Sequence, residues 1–236
     1  MQKAKDDFDK RKLEIELYFD FLSKLDHDRV TLHYEDKGVA EQHKLGDELG
    51  KILKANGFLL IYNLVESFCR NSLWEILSAI NIENLDLKML SNEAQLLWIK
   101  SKVKIYKDNA NSTKLENHIH AIAVDVINNT LIDFQEDSEF VDLSGNIDKK
   151  KIRDLAKIYG FEPIVAPDKE KAGEDLLEIK TTRNNLAHGR ITFAECGKPV
   201  SIPQMIKYKD NAINYLEGVL DNIEDYIVNS RFKVAV

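Results

Sequence analysis

The chain has 236 residues, 44% hydrophobic and 31% charged, with a net charge of −7. The acidic balance argues against a broad electrostatic grip on nucleic acid and leaves room only for a local basic site. No apolar run reaches the roughly 18 residues of a membrane span, and the charged start from Lys3 onward lacks a signal-peptide pattern. With two cysteines, Cys69 and Cys196, the expectation is a reduced, cytoplasmic protein without a membrane segment.

Ten glycines and four prolines favour helix. Residues 3–26 read as an amphipathic helix with a stripe of Phe8, Ile15, Tyr18, Leu22 and Leu25. Residues 27–38 are mixed and polar and read as a loop. A long helix is expected over about 39–82, with Gly57 as a break point. From Phe58 to Ile80 it is apolar on most sides, as a central buried helix is. Glu66 and Arg70 are charges inside that stretch, and either is a candidate for burial. The thiol of Cys69 there reads as packing.

Ser91 is positioned to cap a helix at 92–107, and Thr113 to Glu116 has the capping-box pattern for a helix running to about Asp133. That helix carries His118 and His120. Positions i and i+2 point apart on a helix, so no metal site is expected there, and no cofactor is expected elsewhere. An acidic stretch follows, with Phe140-Val-Asp-Leu and a turn at Ser144-Gly145-Asn146. A short helix reads over 148–158, ending near Gly160. Pro163 and Pro167 bound a linker, and Asp168 is a candidate cap for a helix over 169–188. Residues 190–202 read as a connection or a small hairpin around Gly197-Lys198-Pro199. Pro203 opens a last helix to about 229, striped by Met205, Tyr208, Ala212, Tyr215, Val219, Ile223 and Tyr226. The sum is an all-α antiparallel helical bundle with a small irregular insertion and room for a short β-hairpin. As domains, it reads as one unit, 1–236, with an N-terminal helical extension, 1–38, and an insertion at about 134–167.

The chemistry concentrates in Arg183-Asn184-Asn185-Leu186-Ala187-His188-Gly189. Arginine grips phosphate as a fixed fork, and histidine moves protons near neutral pH. Ala172, Leu176, Ile179, Arg183 and Leu186 fall within about 80° of one another at 100° per residue, so Arg183 sits on an apolar stripe. A buried arginine needs a partner, and Glu66 is a candidate for it. His188 lies about 140° around an ideal helix from Arg183, but the long arginine and a helix-ending Gly189 let the two converge. Asn184 shares the His188 face. The plainer reading is a surface arginine at a helix end, with a histidine favoured by the negative end of the dipole. Basic residues also gather at Lys149, Lys150, Lys151 and Arg153, and more sparsely at Lys180, Arg183, Arg190 and Lys198. Runs such as Lys149 to Lys151 usually form solvated helix starts.

Arg183 to Gly189 resembles the Arg-Asn-x-Leu-Ala-His-Gly signature of the HEPN superfamily. The segment Asp142 to Phe161 is similar to an element that precedes that motif in MAE-type and RiboL-PSP-type HEPN proteins. The helix around Tyr62-Asn-Leu-Val-Glu66 resembles their first core helix. The resemblance implies a helical bundle that pairs as a homodimer, with two Arg-x4-His motifs facing one another. It further implies a metal-independent endoribonuclease, of the kind found among toxins and phage-defence effectors, with RNA as substrate and an antitoxin protein as a possible partner. The expected catalytic residues are Arg183, His188 and Asn184, with Glu66 supporting. Other members of the superfamily only bind nucleotides or proteins, and that is the alternative.

Overall fold

A computed structural model of the chain describes residues 1–25, 30–44, 46–108 (105–108 by backbone alone), 114–135, 143 and 146–234. Its centre is α2, Asp47–Ile82, which runs unbroken through Gly57. At 1.5 Å per residue this helix is about 54 Å long. Phe58, Ile61, Leu64, Val65, Phe68, Ile76 and Ile80 are all buried, so most of its circumference faces protein. Gly57 does not break the helix. It makes room for neighbours, since a Cβ there would stand 2.7 Å from the Met205 side chain.

α1, Gln2–Lys24, buries Ala4, Phe8, Ile15, Phe19 and Leu22 against α2 and against the last helix, α9, Ile202–Val228. The α9 stripe is the one its spacing predicts: Met205, Ala212, Tyr215, Val219, Ile223 and Tyr226 are buried and Tyr208 is half-buried. Ser201 caps α9 by accepting the Gln204 N–H.

Between α1 and α2 the expected loop and helix start are replaced by a hairpin, β1 Thr31–Asp36 and β2 Val39–Lys44. The strands are antiparallel, with Asp36 opposite Val39 and Thr31 opposite Lys44. Lys37 and Gly38 both have positive φ, 53° and 81°. This is the pattern of a tight two-residue hairpin turn, whose twist matches that of the strands. Every residue of both strands is exposed. The hairpin therefore lies here and not at 190–202.

α3, Asn92–Asp108, starts where Ser91 Oγ accepts the Ala94 N–H. α4 spans Leu115–Ile127 and stops at Asn128 and Asn129, the latter at φ 50°, about six residues earlier than its apolar pattern predicts. Thr113, the first residue of the expected capping box, lies outside the described residues, as do 136–142 and Ser144-Gly145. After α4 the chain turns back onto α2. Asn81 donates to the Phe134 carbonyl and accepts its N–H, both at 2.8 Å, and Ile132 and Phe134 are buried.

α5, Lys149–Tyr159, is capped by Asp148 and ended by Gly160 at φ 88°. The motif helix is not one continuous span. α6, Pro167–Ala172, gives way to a 3₁₀ turn at Gly173–Asp175 before α7, Leu176–Ala187. Gly173 lies under Tyr215, where a Cβ would approach the ring to 2.7 Å. Asp168 is not the cap: Ala166 takes that place and Pro167 the first helical position, which suits a residue with no N–H to satisfy. The 190–202 connection holds α8, Phe193–Gly197, opened by a capping box between Thr192 and Glu195. Gly197 packs so tightly on α2 that an added Cβ would fall 1.9 Å from the Lys51 carbonyl oxygen. Among the described residues no helix is long and apolar enough to cross a membrane.

Candidate functional site

α7 lays one face on α2. Ala172, just ahead of it, and Leu176, Ile179 and Leu186 within it are buried, as the stripe requires. Arg183, on the same stripe, reaches across to α2. Its guanidinium carbon lies 4.7 Å from the centre of the Tyr62 ring, a cation–π contact of about 0.5–1 kcal/mol at an exposed site. Its Nη2 is 3.6 Å from Glu66 Oε2, and the two side chains are 27% and 24% exposed. Nη1 donates to Asn184 Oδ1 at 3.2 Å. The guanidinium is thus held on three sides while part of it stays open to solvent. Arg70, the other candidate for burial on the central helix, is exposed.

The segment ahead of α5 also reaches this face. Ile147 is fully buried, and its N–H donates to Tyr62 Oη at 3.0 Å. Asn184 Nδ2 donates to Asn146 Oδ1 at 3.4 Å, the long end of a hydrogen bond. Burial raises the Tyr62 phenol pKa, the Ile147 N–H lowers it in part, and Glu66 adds to the rise; the balance is upward. The ring therefore stays neutral beneath the arginine.

A cavity of about 310 Å³ opens beside Arg183. α2 supplies Leu59, Tyr62, Asn63 and Glu66, α7 supplies Arg183, Leu186 and Ala187, and α8 supplies Phe193. Cys69, three residues beyond Glu66, is buried, and its thiol is pushed up to about 12 by burial and by the Glu66 charge. It is a packing residue with no reactive thiolate.

His188 stands apart from this wall. It is the C-cap of α7, exposed, and its imidazole has no hydrogen bond or ion pair among the described residues. The helix end around it is well defined. The Gly189 N–H bonds the Leu186 carbonyl and the Arg190 N–H bonds the Asn185 carbonyl, with Gly189 at φ 64°. These are the two bonds of a Schellman cap. So the structure joins Arg183, Asn184 and Glu66 in one network and leaves His188 outside it, at the exposed end of α7.

Three of the four residues in the first basic cluster are ion-paired. Lys149 pairs with Glu170 and Glu174, Lys150 with Asp154, and Arg153 with Glu170, while Lys180 pairs with Asp148. Burial works against the Asp148 charge, but bonds from Lys180 and the Lys151 N–H outweigh it and hold the carboxyl below its usual range. The Lys149, Arg153 and Lys180 pairs fasten α5 and its cap to the segment from α6 to α7, while the Lys150 pair lies within α5 and is largely exposed.

A helical bundle that carries Arg183 and His188 at the end of a core helix is a HEPN-type domain. More particularly, the chain belongs to the HEPN_MAE_28990-like HEPN family, whose sequence model matches residues 1–232. That match includes α1 and the hairpin. No curated protein and no solved structure matches the chain.

Proposed function

We propose that this HEPN protein is a metal-independent endoribonuclease that cuts RNA through its own 2′-hydroxyl. The observation that carries the reading is Arg183, half-buried between Tyr62 and Glu66 at the wall of an open cavity, with the exposed His188 five residues on. A guanidinium already oriented by its neighbours loses little freedom on binding a phosphate and offsets charge that develops on its oxygens.

In the proposed reaction the 2′-oxygen bonds to the adjacent phosphorus and the bond from phosphorus to the 5′-oxygen breaks. The products are a 2′,3′-cyclic phosphate and a 5′-hydroxyl. One imidazole takes the proton of the 2′-hydroxyl and another gives a proton to the departing 5′-oxygen, each role worth about 10²–10⁴-fold. One chain supplies one His188, so the scheme uses a homodimer with the two motifs facing a shared groove. Asn184 orients the phosphate or the imidazole, and Glu66 positions Arg183. A toxin or phage-defence role fits this chemistry, with an antitoxin protein as a partner.

The test is cleavage of RNA by the purified protein in EDTA, with the matching DNA left intact. The His188→Ala variant is expected to stay folded and dimeric while losing at least most activity. Cleavage that needs magnesium, or that survives in the variant, contradicts the scheme.

The Arg183–Glu66 pair favours one other reading: a binding module in which the same contacts are structural and His188 is only a helix cap. Thermal stabilisation by nucleotides without RNA cleavage would mark that outcome.

A further inference from the structure

We infer that the cavity beside Arg183 is a nucleobase pocket, selective for guanine, with Asn63 as its specificity-determining residue. The inference deepens the reading of this face as an RNA site and rests on it. Size is the first argument. At about 310 Å³ the cavity lies at the small end of ligand sites, which run from about 300 to 1,000 Å³. It suits one base with part of its sugar and is too small for two nucleotides.

Charge is the second argument. Glu66 lines the cavity together with Arg183, so an anion placed inside would meet a carboxylate. A phosphate belongs at the open rim of Arg183, and the space within suits a neutral group. The walls are Leu59, Leu186 and Phe193, with Tyr62 beneath the guanidinium. Flat apolar and aromatic surfaces with a few polar groups at one edge are how unpaired bases are held.

The polar edge is directional. Asn63 Oδ1 accepts from Arg11 Nη1 at 2.6 Å, and Arg11 Nε donates in turn to Asp7 Oδ2 at 2.8 Å. Arginine can only donate, so the Asn63 carbonyl is turned to Arg11 and its NH₂ is left for the cavity. Asn71 Nδ2 donates to the same Asp7 oxygen at 2.8 Å, which steadies the chain of contacts. Glu66, one turn along the same face of α2, offers acceptors, and its Oε1 has no partner among the described residues. The site thus presents a donor beside a carboxylate. Guanine complements both: O6 accepts from Asn63, while N1–H and the exocyclic amine donate to Glu66. Adenine and cytosine carry only the exocyclic amine as a donor on that edge, and uracil a single ring N–H.

The experiment is calorimetric titration of the full-length protein with the four ribonucleoside 5′-monophosphates, which it cannot cleave, alongside mapping of the cleaved ends in RNA. GMP is expected to bind at least about tenfold tighter than AMP, CMP or UMP, the worth of one well-made hydrogen bond. Asn63→Leu, at an exposed position and with the same heavy-atom branching, is expected to reduce GMP affinity by about that factor and to bring the four ligands within about threefold of one another. Arg11→Met is expected to erode the preference in part and Arg11→Lys to restore it, which a purely structural role would not produce. Equal binding of all four nucleotides, or a guanine preference untouched by Asn63→Leu, overturns the proposal. RNA cleavage without base preference would leave the nuclease reading standing and remove this one. Selective GMP binding without cleavage would do the reverse.

Discussion

The two ends of the motif are built differently. Arg183 is enclosed: a ring below it, a carboxylate and an amide beside it, and a cavity in front. His188 is exposed at the helix cap, its imidazole free of hydrogen bonds and ion pairs among the described residues. The chain fixes Arg183 by itself and leaves the His188 imidazole to be oriented by whatever meets the end of α7. On the proposed scheme that is RNA and a second copy. Fold and reactivity should therefore separate cleanly between the two residues.

The largest expected effect tests what the two residues share. Arg183→Ala and His188→Ala are each expected to lower the rate of RNA cleavage by 10²-fold or more, measured on a labelled RNA in EDTA. The next effect tests what divides them. Arg183→Ala leaves Glu66 partly buried without its partner, so it should lose about 1–3 kcal/mol of stability and melt several degrees lower. His188→Ala should melt within the roughly 0.5 kcal/mol scatter of surface changes. Equal melting shifts in the two variants would break the comparison.

A smaller effect is expected at Gly189. Its φ of 64° sits in the left-handed region, so Gly189→Ala should cost about 1 kcal/mol. It should also disturb the helix end that presents His188, lowering cleavage more than stability would explain. The smallest effect is in acid. The Asp148 carboxyl is held low by Lys180 and the Lys151 N–H after burial is overcome. Its contribution to stability is complete above its unfolded pKa of about 3.9 and is lost as pH falls through the lower folded value. Asp148→Asn should lower the melting temperature at pH 7 and flatten its decline below about pH 4. Thermal melts across that range would show it.

Much of this architecture is legible in sequence, where local rules dominate. α9 follows its apolar spacing, and α5 follows from Asp148 before it and Gly160 after it. The stripe of α7 predicts that Arg183 turns inward, and the cost of an unpaired inward charge points to Glu66. Other features depend on chain segments meeting. Tyr62 and Asn63 lie in a stretch whose family likeness is readable, but nothing in their spacing shows that one supports a guanidinium and the other faces a cavity. Phe193 and Asn146 reach the site only because α8 and the segment before α5 dock there. Other differences arise where one local signal outweighs another. The Lys37-Gly38 turn lies within polar sequence that reads equally as loop, the Thr192–Glu195 capping box starts a helix just before the turn-like Gly197-Lys198-Pro199, and Pro167 starts α6 ahead of Asp168.

The hairpin of β1 and β2 has a practical consequence. Its strands are exposed throughout and pair with each other across a turn of two residues. A single labelling cysteine on an exposed strand residue such as Glu35 or Glu41 should leave both the turn and the packing of α2 on α7 unstressed. Such a handle would let the proposed pairing be tested by energy transfer between differently labelled copies, with the motif and its cavity left unaltered.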